Sequence, residues 1–290
     1  MTTTGNLAPR PVPRRTVHVR RVRFSHPDGA LRRHYVDGDL VMSHVLAVLS
    51  ATFPPGEDFF VRAVRHYRDQ ITDLELTAQV RGFIGQEVVH GREHDHLNQA
   101  LRQMGYPTQL IHRFIDKVLI LFDRALPARV RLGFTAGLEH YTATIAEHLL
   151  TDPRAQALLG DTEVRSILLW HALEESEHKA VAFDVYRAVG GTERMRIWTM
   201  RVISTLLIAH VVAATALSML TDRATYNPIR LVHSLARLRH SPFLTREVIR
   251  ALRAYNRRRF HPDDIDSTQL LEHWRAELFG PQGTLTGKLK

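Results

Sequence analysis

Residues 83–94 read FIGQEVVHGREH. A helix through this stretch puts Val80, Ile84, Glu87, Gly91 and His94 on one stripe, with Phe83, His90 and Leu97 flanking it. A glutamate and two histidines therefore stand where an apolar face expects leucine. A buried carboxylate without a partner costs several kcal/mol, so proteins keep one in a core only with a counter-charge or a metal.

Further along the chain the pattern recurs. Val164, Leu168, His171, Glu175, His178, Ala182, Val185 and Val189 form a second stripe, again carrying one glutamate and two histidines. Each stripe holds Glu-x-x-His, as Glu87 with His90 and Glu175 with His178. Positions three apart on a helix project from one side, about 5–6 Å apart at Cβ, so both side chains of a pair can reach one cation. Such a pair alone is weak evidence, and specificity comes from what precedes it. Glu57 lies 30 residues before Glu87, and Glu139 lies 36 before Glu175, each on the preceding long helix. The order Glu, Glu-x-x-His, Glu, Glu-x-x-His over four helices is the inward-facing ligand set of di-iron and di-manganese carboxylate bundles.

Punctuation along the chain sets the expected elements. Asp39 can cap a first helix that Pro54-Pro55 should break, with Glu57 opening another. Asp73 can cap a long helix to about Met104, stopped by Gly105. Helices near 108–124, from Pro127 to about Leu150, and from an Asp161 cap to Gly190-Gly191 follow, then an apolar helix beyond Thr192 to about Leu220. The expected organisation is an extended basic arm over 1–36, with one short strand at VHVRRVRF, a four-helix bundle over 37–191, and a helical extension over 192–290. The expected fold class is all-α, a ferritin-like four-helix bundle with a C-terminal helical extension, leaving an apolar pocket beside the metals.

Composition narrows the chemistry. The 290 residues contain no cysteine, which excludes disulfides, thiolate nucleophiles and cysteine-held clusters, so a metal must be held by nitrogen and oxygen. The net charge of +9 is uneven. Ten arginines stand against Glu247 alone between Arg223 and Arg259, and eight against Asp28 between Met1 and Arg33, which leaves an acidic middle suited to a cation. The arginine-rich N-terminus has no apolar secretory core, so a cytoplasmic location is expected. No phosphate-binding loop, dinucleotide fingerprint, nucleophile elbow or H-E-x-x-H occurs. The basic helices lack interleaved aromatics, which argues against nucleic acid.

The motifs FPPGEDFF, FIGQEVVHGREH, GLEHYTA and LWHALEESEHKAVAFDVY resemble those of a bacterial family of predicted metal-dependent hydrolases, and more broadly those of ferritin-like di-iron proteins. The likeness spans about residues 40–220. It implies Glu57 and Glu139 as terminal carboxylates, Glu87 and Glu175 as bridges, and one nitrogen each from His90 and His178. His94 and His171, one turn from each motif, are either third nitrogen ligands or groups that orient the glutamates. The expected cofactor is a pair of irons, with manganese or zinc as alternatives. The expected activity is dioxygen activation that oxidises an apolar small molecule with electrons from an external donor; metal-dependent hydrolysis is the alternative.

Rival readings are plain. A buried salt-bridge network with Arg81 or Arg92 would also explain the carboxylates. Glu174 and Glu177, in the acid-rich EESEH, read as a solvated face. The 19 uncharged residues VISTLLIAHVVAATALSML at 202–220 suit either peripheral association with an anionic inner-membrane surface or a core or homodimer-interface helix.

Overall fold

The computed structural model describes residues 16–26, 29, 31–160 and 162–290, and the regular structure there is all-α. Helix α1 (Leu40–Arg65) starts where the Asp39 carboxylate accepts from the Met42 amide. It runs through Pro54 and Pro55 without breaking, contrary to the expected division. Proline at 54 removes the amide that would bond the Ser50 carbonyl, and Asn98 Nδ2 donates to that carbonyl at 2.9 Å instead.

Helix α2 (Leu74–Gln103) is capped by Asp73 and stops at Gly105, whose φ of 92° suits glycine alone. α3 (Thr108–Ala125) and α4 (Ala128–Thr151) follow, then the short α5 (Pro153–Ala157). The expected Asp161 cap lies outside the described residues; the Thr162 hydroxyl caps α6 (Glu163–His178). The anticipated single helix to Gly190 is interrupted at Lys179-Ala180 before α7 (Val181–Ala188). At this break Lys179 is buried, its ammonium donating to Glu147 at 2.7 Å and to the Ile265 carbonyl at 2.9 Å.

The remaining helices are α8 (Glu193–Leu220), α9 (Pro228–Leu238), α10 (Arg246–Ala254) and α11 (Thr268–Phe279). α1 packs on α2 and α4 on α6, and the two pairs meet through α1 with α4 and α2 with α6. α1 and α2 approach closely at Gly91, where an added Cβ would lie 3.2 Å from Glu57 Oε2 and press on that carboxylate. The VHVRRVRF segment forms only an isolated bridge, Val22 with Leu289, because it finds one C-terminal partner residue and no ladder. The segment lies across α2, where Val17 sits over Gly82 and Val19 over Gly85.

Two apolar clusters flank the middle of the bundle. The first includes Phe24, Leu97 and Trp170. The second includes Phe59, Phe83, Leu132 and Tyr186. Burial on this scale, roughly 25 cal/mol per Å² of apolar surface, holds polar side chains between the clusters in a fixed arrangement.

Candidate metal centre

Glu57 on α1, Glu87 and His90 on α2, Glu139 on α4, and Glu175 and His178 on α6 converge between those clusters, all buried. His178 Nε2 lies 3.2 Å from Glu87 Oε1, 3.3 Å from Glu139 Oε2 and 3.6 Å from Glu175 Oε1. His90 Nδ1 lies 3.7 Å from Glu87 Oε1 and 3.6 Å from Glu175 Oε1. Three overlapping groups can each hold a cation, with one atom per residue mutually within 4.8 Å. They are Glu57, His90 and His171; Glu87, His90 and Glu175; and Glu87, Glu139 and His178.

The atoms that face the centre have no hydrogen-bond partner among the described residues: both oxygens of Glu57, Glu87 and Glu139, one of Glu175, His90 Nδ1 and His178 Nε2. Buried polar atoms are nearly always paired, so such a concentration of orphans marks a place built for another partner. No arginine among the described residues supplies it. Arg92 pairs with Glu93 at 2.9 Å, and Arg81 is exposed, so neither neutralises the set.

The hydrogen bonds behind the histidines fix which nitrogen faces inward. Gln86 Nε2 donates to the His18 carbonyl and to Glu177 Oε2, both at 2.9 Å, which leaves Gln86 Oε1 to accept from His178 Nδ1 at 2.8 Å. A neutral His178 then turns the Nε2 lone pair toward three carboxylates, an arrangement that requires a proton or a metal there. His90 Nε2 lies 3.1 Å from Glu174 Oε2, so donation to that carboxylate directs Nδ1 inward. Burial pushes Glu174 up to about 8 against the pull of Arg20; the 3.0 Å ion pair with Arg20 fits the ionised form.

Glu174 and Glu177 correct the sequence expectation, because both are buried and neither faces solvent. Arg20, from the N-terminal segment, donates to Glu177 through both terminal nitrogens at 2.8 Å and to Glu174 at 3.0 Å. Arg275 on α11 donates to Glu177 at 2.7 Å. Sequence reading missed these partners, since helical period describes neighbours on one helix and Arg20 is 154 and 157 residues away.

His94 and His171 separate clearly. His94 has both ring nitrogens engaged, Nδ1 with Ser50 Oγ at 3.0 Å and Nε2 with His171 Nδ1 at 2.8 Å. His171 turns Nε2 to Glu175 Oε1 at 3.0 Å and to Glu57 Oε1 at 3.7 Å, inside the centre. Trp170 edges His90 and Phe83 edges His178, which closes the walls with aromatic rings.

The electrostatics are those of too much negative charge in too little water. Burial, and then repulsion from neighbouring carboxylates, pushes Glu57 and Glu87 well above the usual carboxylate range. Burial and Glu175 push Glu139 up to about 7. Glu175 is held well below its usual value, as His178 and His171 outweigh its burial. His178 is raised, Glu175, Glu139 and Glu87 overcoming burial. A di-cation would satisfy the orphaned oxygens and nitrogens together, and the oxygen and nitrogen donors fit iron, manganese or zinc.

Another cluster, His34, His44 and Asp222, has the spacing of a metal site but a different balance. Arg33 Nε donates to Asp222 at 3.0 Å and Arg230 donates to His34 Nδ1 at 2.7 Å, so guanidinium charge already occupies it. It clamps the N-terminal segment and α1 to the end of α8.

The anticipated pocket beside the metals is not where the described cavities lie. One of about 310 Å³ is lined by His140, Glu147, Lys179 and Phe260 among others, and one of about 410 Å³ lies against the arginines of α10. The first is lined by His140 and Lys179, the chain neighbours of Glu139 and His178, and by none of the central carboxylates.

Over residues 18–266 the chain matches a family described as predicted metal-dependent hydrolases. It belongs to that family. The description of a metal-dependent enzyme agrees with a buried set of carboxylate and imidazole donors from four helices. No curated protein and no solved structure matches the chain.

Proposed function

We propose that the chain is a dinuclear metal-dependent hydrolase, in which Glu57, Glu87, Glu139 and Glu175 would supply carboxylate oxygens, and His90 Nδ1 and His178 Nε2 nitrogens, to a pair of cations. The observation that carries this reading is the convergence of unpartnered carboxylate and imidazole atoms from four helices on one buried volume. Family membership supports the hydrolytic form. When bound, the cations supply Lewis acidity and lower the pKa of water toward neutrality. His171 would join the centre through Nε2, which lies 3.0 Å from Glu175 Oε1, while Nδ1 pairs with His94 Nε2 at 2.8 Å. Ser50 fixes the orientation of His94. Trp170, Phe83 and Phe53 exclude bulk water around the three rings.

A second reading is supported by the order of ligands over four helices, which is that of ferritin-like di-iron carboxylate proteins. In that case the same residues would hold two irons, which would supply dioxygen activation for oxidation of an apolar small molecule with electrons from an external donor.

One experiment separates them. The protein is stripped, reloaded with zinc, manganese or ferrous iron, and assayed on ester, amide and phosphoester panels while oxygen uptake is followed. Turnover with zinc or manganese and no oxygen uptake supports hydrolysis. Oxygen consumption by the ferrous form, with transient visible absorption, rejects it in favour of the second reading. Glu87→Ala should lose both metals, whereas Asp58→Ala, at an exposed neighbour of Glu57, should keep them. Retention of both metals by Glu87→Ala rejects the dinuclear assignment.

A further inference from the structure

Helix α8 carries no charged residue between 202 and 220. Its inner face, including Met200, Ile203, Ala214, Ser218 and Met219, is buried as α8 packs on α1 and α4. Its outer face exposes Leu206, Ile208, Val212, Leu217 and Leu220 by 43–64%. Beside it, α3 exposes Leu110, Phe114 and Leu121, and the Phe114 ring stacks on His210 of α8 with centroids 6.4 Å apart.

On the other flank α9 buries only Ser234. Leu231 and Leu238 anchor it against Leu40, Val41 and Met219, while Ile229, Val232 and Leu235 are exposed by 82%, 64% and 47%. Large apolar side chains exposed together on neighbouring helices are a mark of an interaction surface.

Charge decides what covers it. Arg201 stands before the uncharged run of α8, Arg223 follows its end and Arg239 follows α9, all exposed, while exposed Arg230 and Arg237 on α9 also meet His34 and Asp37. An apolar helix face rimmed by arginine fits the interface of a bilayer with anionic headgroups. A two-fold copy would set this basic rim near an identical one, which charge opposes. The bilayer is met from the side and not crossed. α8 is long and apolar enough to span, but its inner face is held by the bundle, and wholly buried Arg196 near its start donates to the Tyr255 and Arg257 carbonyls.

We propose that the outer faces of α3, α8 and α9 dock on an anionic membrane surface. This stands apart from the metal chemistry. The full-length, metal-loaded protein is floated with vesicles of phosphatidylcholine and phosphatidylglycerol in equal parts, and with phosphatidylcholine alone. It should rise with the mixed vesicles only and be released by salt. The double change Ile208→Glu, Val212→Glu should lower the bound fraction about tenfold or more, with helix content and metal content unchanged. Leu74→Glu, at an exposed leucine on α2, should float as the parent does. Protein that stays at the bottom with both vesicle types at low salt overturns the proposal, as does equal flotation of the double variant. A dimer in solution that the double variant splits also overturns it, by assigning the face to a second copy.

Discussion

Arg20 shows how far along the chain the groups that orient the central histidines can lie. Its guanidinium holds Glu174 and Glu177, Glu174 meets His90 Nε2, and Glu177 with Gln86 reaches His178 Nδ1. The imidazoles of His90 and His178 are thus both oriented from behind through one arginine. Groups of this kind are worth about 10–100-fold in metal affinity, so Arg20→Ala should weaken metal binding by that factor with helix content unchanged. Arg20→Lys should restore little, because an ammonium cannot bond Glu177 bidentately. Metal titration followed by circular dichroism reads both variants, and wild-type affinity in Arg20→Ala would reject the positioning role. Glu87, His90, Glu175 and His178 were legible in the sequence because their spacing follows the helix. Glu174 and Glu177 were not, because whether an acid on a helix is solvated depends on what else covers that helix.

Among the elements, α1 and α2 depart from local expectation for reasons found on their neighbours. Two prolines predicted a break, yet Asn98 on α2 serves the carbonyl that Pro54 leaves without a donor. Glycines in the middle of α2 look like weak points, since each costs about 1 kcal/mol relative to alanine in a free helix. At Gly82 the sign reverses, because an added Cβ would lie 2.6 Å from the Val17 carbonyl and from Val17 Cβ. Gly82→Ala should therefore lower the melting temperature and speed tryptic cleavage within the arginine-rich segment at 20–23, which the chain otherwise holds on α2. A variant that melts higher and resists trypsin as the parent does would show that the segment contributes no packing there.

For the whole molecule, the acidic interior sets a pH dependence. Glu139 has a folded value of about 7 against an ordinary 4.5, so the native state keeps a proton that the unfolded state releases between those values. Its contribution to stability is therefore lost as pH rises through that window. Glu57 and Glu87 shift in the same direction. Cations bind the deprotonated carboxylates, so loading should release protons, and apparent metal affinity should climb as pH rises from 4.5 to about 7. Calorimetry in two buffers of different ionisation enthalpy measures the release, and none across that window would mean that the carboxylates are not the ligands.

The sequence by itself determined the all-helical class, most helix ends and the two Glu-x-x-His stripes, since caps, stops and periodicity act within a few residues along the chain. It could not determine that α1 continues through Pro54, that the EESEH acids are buried, or that the basic N-terminal segment reaches Glu174 and Glu177 behind the centre. Those outcomes depend on partners tens to more than a hundred residues away, and only packing brings such groups within hydrogen-bonding distance.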